Sequence, residues 1–406
     1  MEQELLLTTL AYGGEAIGRL EDGRAVFVPF GLPGERVRVL LTEEKRGFAR
    51  GEILEILEAS PRRIPPRCKH FGLCGGCHYQ HLPYEEQLRA KREILRDQLT
   101  RIGRIQKPPV QETIGSPSPW NYRNHVQFHL TEEGKLGYLM AQVPAVFAIR
   151  ECHLPEGSIN SFWPQLEFEP ETDLERVSLR SGKEGELMLV LESESPEPPE
   201  LEIEADISVA HVFQENTILI AGNDHLTIRI LDRDFRVSAT SFFQVNTMMA
   251  AKMVNHVLTC LPLSLSTTAL DVYCGVGLFS AFLAPQCERV VGIESSPSAC
   301  EDFTVNLDEF ENVELYEGLA EEVIPHLEAK PDIILVDPPR AGLEKRVVDG
   351  ILSLKPQVVA YVSCDPSTLA RDAKRLIEGG YKLSQVRPFD LFPQTYHIES
   401  ISIFEK

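Results

Sequence analysis

The feature that most constrains the fold of this 406-residue chain is a series of five short apolar runs in its C-terminal part. Ala269-Leu270-Asp271-Val272-Tyr273, Arg289-Val290-Val291-Gly292-Ile293-Glu294 and Asp332-Ile333-Ile334-Leu335-Val336-Asp337 come first, then Val358 to Cys364 and Ser400 to Phe404, with helical stretches between them. Apolar strands separated by helices predict an α/β fold with a mostly parallel, doubly wound sheet. Such a sheet gathers ligands at the carboxyl ends of its strands. Unusual polar groups mark three places there: Asp337-Pro338-Pro339-Arg340, Ser363-Cys364-Asp365-Pro366 and His397-Ile398-Glu399-Ser400. The first two can converge on one cleft. Glu399 precedes the terminal strand and has to be brought in by its loop.

Asp271-Val272-Tyr273-Cys274-Gly275-Val276-Gly277 ends its strand in a glycine-rich turn, where the backbone can approach a ligand closely. Glu294 lies 23 residues after Asp271, at the end of the next strand, where a carboxylate can accept hydrogen bonds from ribose hydroxyls. The position three after Gly277 is Ser280, so the full dinucleotide pattern fails. That disfavours NAD and favours S-adenosylmethionine, which has no pyrophosphate to cradle. On this pattern alone a plain strand-end cap is the lesser alternative for Glu294. A cysteine at the mouth of this sheet suggests covalent catalysis beside an adenosyl cofactor, although a thiol there also fits a structural role. Cys260, Cys274, Cys287 and Cys300 are assigned to that structural role.

The front of the chain differs in charge and in pattern. Residues 1–150 hold 21 Lys and Arg against 18 Asp and Glu, whereas residues 151–406 hold 19 against 43. A basic front on an acidic body, with net charge −21, still allows a local nucleic-acid surface. Residues 1–58 read as short strands and Gly-containing turns, which suits a small five-stranded barrel. A proline-rich basic hinge, Ser60 to Pro66, follows, and then a helix over 84–102 with Tyr84, Leu88, Ile94, Leu95 and Leu99 on one face. From about 110 to 235 the pattern is strands and loops, with an exposed acidic spacer at Glu192 to Glu204. Trp120-Asn121-Tyr122-Arg123-Asn124 suits either stacking on RNA or a core tryptophan beside a surface arginine. No run approaches the roughly 18 apolar residues of a membrane span. The acidic start Met1-Glu2-Gln3-Glu4 lacks the basic opening of a signal peptide, so a cytoplasmic location is expected.

Three of the nine cysteines cluster as Cys68-x5-Cys74-Gly75-Gly76-Cys77. Three close thiolates make physical sense around a soft cation or an iron–sulfur cluster. Spacing alone leaves zinc open, with Cys152 as a fourth ligand or His70, His78 and His81 as alternatives.

Together these motifs closely resemble the RNA uracil-C5 methyltransferase family. The resemblance runs along nearly the whole chain. Leu10 to Arg19 and Pro33-Gly34-Glu35 are similar to a TRAM domain, an OB-like RNA-binding module. Ser241-Phe242-Phe243-Gln244-Val245-Asn246, the cofactor loop, Asp337 to Gly342, Ser363 to Pro366 and Phe392 to Glu399 complete the set. The resemblance implies a [4Fe-4S] cluster on Cys68, Cys74, Cys77 and Cys152, and S-adenosylmethionine contacted by Gln244, Tyr273, Glu294 and Asp337. It also implies Cys364 as nucleophile and Glu399 as base. Leu278 departs from relatives that carry Asn there. The expected organisation is a TRAM-like barrel over 1–59, a central β-rich iron–sulfur domain over 60–235 and a Rossmann-like class I methyltransferase domain over 236–406. The expected protein is a monomer acting on 23S ribosomal RNA. The alternatives are a transfer RNA T-loop enzyme and a non-catalytic RNA-binding factor.

Overall fold

Val26, Val28, Val37, Val39 and Ala49 are fully buried, each beside a more exposed neighbour, so the first 58 residues fold as a sheet around them. Its order is Glu2–Leu6, Arg36–Glu44, Phe48–Glu58, Ala25–Val28, Ala16–Arg19, Thr9–Leu10. The sequence pattern shows five strands; the sixth, Thr9–Leu10, is too short to display an alternation. The sheet curls, because a Cβ on Gly18 would lie 3.2 Å from that of Leu5 in the first strand. The computed structural model describes residues 1–170, 172–202, 204–214 and 216–406.

The next sheet has seven strands, in the order Asn216–Ala221, Ser208–Phe213, Leu187–Ser193, Leu174–Ser181, His125–Leu130, Leu136–Leu139, Val146–Ala148. Its core is closed by Ile159 and Trp163. The acidic spacer after Ser193 is largely exposed, and Ile203 within it lies outside the described residues. A separate hairpin, His225–Ile230 with Arg233–Ser238, sends Ile228, Ile230, Phe235 and Val237 into the core of the C-terminal sheet. The 235/236 boundary expected from sequence therefore falls inside a strand.

The C-terminal sheet runs Val313–Glu317, Arg289–Glu294, Thr268–Val272, Ile333–Val336, Val358–Ser363, Glu399–Glu405, Lys382–Phe389. The first five strands are parallel, as expected from their apolar runs. Glu399–Glu405 is antiparallel to both of its neighbours. Its reversal decides where Glu399 stands.

The helix Tyr84–Arg101 packs Leu95 and Leu99 into the same core as Leu369, Ala373 and Leu376 of the helix Pro366–Glu378. The cysteine segment just before it is thereby drawn to the edge of the C-terminal sheet. No helix among the described residues is long and apolar enough to cross a membrane.

Candidate active site

Five polar residues stand at one edge of the C-terminal sheet, on five adjacent strands. In sheet order they are Glu294, Tyr273, Asp337, Cys364 and Glu399. The first four follow from parallel strands ending together: Val272 pairs with Ile293 and Val336, and Val336 with Tyr361. Glu399 is the first residue of the reversed strand, so its beginning meets the others' ends. Ser363 and Ser400 are register partners, which sets Cys364 beside Glu399 without the long loop excursion that the sequence suggested.

The edge is acidic and buried at Asp271 and Glu399. Asp271 is fully buried, donor-bonded on one oxygen by Ser280 Oγ at 2.6 Å and unpartnered on the other. Burial, with Glu294 nearby, raises its carboxyl to about 7. Asp337 is likewise raised to about 7, by burial and then by Asp271. Burial holds Glu399 well above the usual carboxylate range; Asp337 adds to this, while Arg340 and Lys91 oppose it. The Cys364 thiol is pushed up to about 12 by burial and by Glu399 and Asp337, against the pull of Arg340. Burial thus shifts all four groups toward their neutral forms.

The glycine loop is bent by left-handed backbone at Tyr273 (φ 64°) and Gly277 (φ 89°). Only glycine fits at 277, where a Cβ would come 2.3 Å from Leu307. Glu294 caps this loop, accepting N–H bonds from Gly275 at 2.9 Å and from Ser295 and Ser296 at 2.7 and 2.8 Å. Gln244 is buried in a segment whose main chain accepts from Asn124 Nδ2 at 3.1 Å. Leu278 is buried in the core.

The four cysteines gather at the other end of this neighbourhood. Cys77 is buried with Tyr122 and Leu154, and Cys152 packs against the same cluster. Sulfur of Cys68 accepts from His70 N at 3.4 Å and sulfur of Cys74 from Gly76 N at 3.3 Å. Burial raises Cys74 to about 11 and Cys77 to about 12, and Cys152 repels both. The three nearby histidines make contacts of their own, although His78 Nδ1 and both His81 ring nitrogens have no hydrogen-bond partner among the described residues. His70 Nε2 accepts from Arg150 N at 3.0 Å, His78 lies on Tyr396 at 4.6 Å and His81 on Phe71 at 5.1 Å. Among the described residues, no three His, Cys, Asp or Glu side chains converge on a single-ion site.

Comparison with known proteins now decides the lineage. Residues 215–406 match the model of the tRNA (Uracil-5-)-methyltransferase family, and residues 1–54 that of the TRAM domain. An uncharacterized RNA methyltransferase of Halalkalibacterium halodurans is 35% identical over 99% of this chain and 96% of its own length. The chain belongs to the RNA uracil-5-methyltransferase family. Another uncharacterized RNA methyltransferase, from Aquifex aeolicus, is 34% identical over 99% of this chain and 98% of its own. Among solved structures, the Pyrococcus abyssi tRNA (uracil-54, C5)-methyltransferase, in complex with S-adenosyl-L-homocysteine, matches with a TM-score of 0.76. That match has 26% identity and covers 100% of both chains. This protein is thus an S-adenosylmethionine-dependent RNA methyltransferase.

Several residues of this methyltransferase escape a reading of its motifs. Lys91 and Asp390, both fully buried, form an ion pair at 2.6 Å, and Lys91 Nζ also donates to Phe392 O at 3.0 Å. A charged residue on the apolar stripe between Leu88 and Leu95 was the available signal. Gln394, in a left-handed conformation (φ 69°), accepts on its carbonyl from both His78 N and Tyr79 N, at 2.8 and 3.0 Å. It lies within the Phe392 to Glu399 motif, but nothing in that motif marks its role in holding the cysteine segment. The Trp120–Asn124 segment is structural at its centre: Tyr122 is buried and its hydroxyl donates to Pro393 O at 3.0 Å.

Proposed function

We propose that this enzyme forms 5-methyluridine in RNA through a covalent adduct between Cys364 and the uracil ring, with 23S ribosomal RNA as substrate. The supporting observation is the sheet edge that puts a thiol, two carboxylates and the glycine loop on adjacent strands. Uracil C5 is too weak a nucleophile to accept a methyl group directly. Addition of the Cys364 thiolate forms an Sγ–C6 bond and moves the ring π electrons to C5, as an enolate. C5 then attacks the sulfonium methyl; the S–CH3 bond breaks and S-adenosylhomocysteine leaves. Glu399 takes the C5 proton, and the returning electron pair expels the Cys364 thiolate. The uracil must leave its stack to reach this cleft.

Gln244, Tyr273, Glu294 and Asp337 are the residues assigned to the methyl donor. Glu294 serves its ribose hydroxyls, as the strand-end position favours. The sulfonium is a cation, and its arrival at an acidic edge stabilises the ionised forms of Asp337, Glu399 and Cys364. The elevated value of the Cys364 thiol in the free protein then falls at the addition step, where the thiolate is needed, and the charge is gone once the methyl group has moved.

Cys68, Cys74, Cys77 and Cys152 are assigned to a [4Fe-4S] cluster. Four gathered thiols, two of them receiving backbone N–H bonds, fit that donor set. Ligands on four corners of a cluster also stand further apart than ligands on one ion. Held by these four thiols, a cluster would tie residue 152 to the 68–77 loop. An anaerobically purified sample should be brown and contain iron and sulfide; a colourless zinc protein would refute this assignment.

The deciding experiment is methyl transfer from labelled S-adenosylmethionine to separate unmodified ribosomal and transfer RNA pools, followed by nucleoside analysis. 5-Methyluridine in large-subunit ribosomal RNA is the expected result. The likeness to a tRNA (uracil-54, C5)-methyltransferase favours a second substrate reading, in which the label appears in transfer RNA alone. No 5-methyluridine in either pool would overturn the assignment.

A further inference from the structure

The turn Ala11 to Glu15 of the N-terminal sheet reaches into the catalytic neighbourhood. It is closed by Ala11 N donating to Glu15 O at 2.8 Å, with Gly13 and Gly14 in left-handed conformations. Gly14 lies against the cysteine segment, since a Cβ there would come 2.9 Å from that of His78. Tyr12, at the tip of the turn, touches both loops that carry the chemistry. Its hydroxyl donates to Asp365 Oδ2 at 3.0 Å, one residue beyond Cys364. Its ring meets the edge of Tyr396 at 5.5 Å, and Tyr396 in turn lies on His397 at 4.3 Å, two residues before Glu399.

Asp365 is itself a fixed point. Its Oδ1 accepts from Ser367 N at 2.8 Å and Thr368 N at 3.0 Å, capping the helix Pro366–Glu378. Its other carboxylate oxygen takes the phenol, so the nucleophile loop is held from one side by its own helix and from the other by the barrel. The family assignment gives Tyr12 no part in the chemistry, and it lies about 350 residues from the groups it contacts.

We propose that Tyr12 is a positioning residue, through which the N-terminal barrel holds the Cys364 and Glu399 loops in the mutual geometry that thiolate addition requires. This rests on the assignment of Cys364 as nucleophile. A hydrogen bond to a carboxylate is among the stronger ones, so its loss should be felt in the rate. Tyr12 touches no reacting atom, so RNA affinity should survive.

The test uses full-length protein, S-adenosylmethionine and ribosomal and transfer RNA transcripts substituted with 5-fluorouridine. Fluorine cannot leave as a proton does, so the adduct accumulates and its rate of formation can be followed. Tyr12→Phe keeps the ring on Tyr396 and removes only the hydroxyl. It should bind the transcripts within about twofold of wild type and form adduct about tenfold more slowly at saturating RNA. Asp365→Asn should slow the reaction by a similar factor. The double variant should be no slower than Asp365→Asn alone, because the phenol acts through that carboxylate. Independent, multiplying losses would make Tyr12 merely structural and overturn the proposal. Weaker RNA binding with an unchanged maximal rate would make it an RNA contact and also overturn it. If wild type and Tyr12→Phe react equally fast, the positioning role alone falls. If wild type forms no adduct, the nucleophile assignment falls and takes this proposal with it.

Discussion

The loop that carries Cys364 and the loop that leads to Glu399 meet at one edge, but they are held there in opposite ways. The first is mostly self-contained. Ser363 Oγ donates to Asp365 O at 3.0 Å, Asp365 caps the helix it begins, and Pro366 fills the helix's first turn. The second has a local turn, with Thr395 Oγ1 donating to Phe392 O at 2.8 Å and His397 N to Thr395 Oγ1 at 3.3 Å, but most of its anchors come from distant parts of the chain. Asn246 donates to Leu391 O, Tyr122 to Pro393 O, Gln87 to Gln394 Oε1 and Lys91 to Asp390 and Phe392 O. Cys364, the proposed nucleophile, is placed mainly by local bonds, and Glu399, the proposed base, mainly by the assembled fold. Damage far away in the chain should therefore reach the base first.

The largest expected effect removes the thiol itself. Cys364→Ala should abolish adduct formation on 5-fluorouridine RNA, by at least about 10³-fold, while leaving RNA binding intact. Retained adduct would place the nucleophile elsewhere and dissolve the comparison. Glu399→Gln should slow turnover by about 10²–10⁴-fold. It should also leave a methylated covalent enzyme–RNA complex on ordinary uridine RNA, visible as a shifted band on denaturing gels. A fall in rate without that complex would mean that Glu399 acts before the methyl transfer.

The next change attacks the support of the base loop. Lys91→Ala strands Asp390 in a fully buried position, which typically costs about 3–5 kcal/mol. Urea unfolding should show the loss. Lys91→Met combined with Asp390→Leu should recover most of it, because neither charge is then left alone.

A pH series separates the two loops at smaller amplitude. With Cys364 held up to about 12, the thiolate is the minor form at neutral pH, so adduct formation should rise with pH. The rise should approach about tenfold per unit without S-adenosylmethionine and be shallower with it, since the sulfonium lowers the thiol's value. A flat profile without the donor would mean the thiol is already ionised. The smallest effect is local: Asp365→Ala removes a helix cap and should cost about 1 kcal/mol in the same urea measurement.

The contrast between the two loops also explains what the sequence could and could not reveal. The parallel strands were legible because each is an apolar run, and Asp365-Pro366 has the form of a helix start in two residues. Strand direction is not written in such runs. Nothing in Glu399 to Phe404 says that the strand is inserted in reverse between Val358–Ser363 and Lys382–Phe389, so Glu399 was expected to need its loop. Lys91 stands out only as a charge on the apolar stripe of its helix, and Asp390, far away in the chain, alone looks like an ordinary surface charge. Thr9–Leu10 is too short to carry a pattern, and Tyr12 beside it gains meaning only from what folds against it.

The reversed last strand carries one more consequence. Neighbouring residues on a strand point to opposite faces, so the pairing of thiol and carboxylate is governed by parity. With Ser400 opposite Ser363, a slip of the strand by one residue would turn the Glu399 side chain to the far face, and a slip of two would restore the facing but displace it by about 7 Å. Insertions in the last two strands would thus be read in whole steps, with an odd shift silencing the enzyme while leaving the sheet's hydrogen bonds countable and complete.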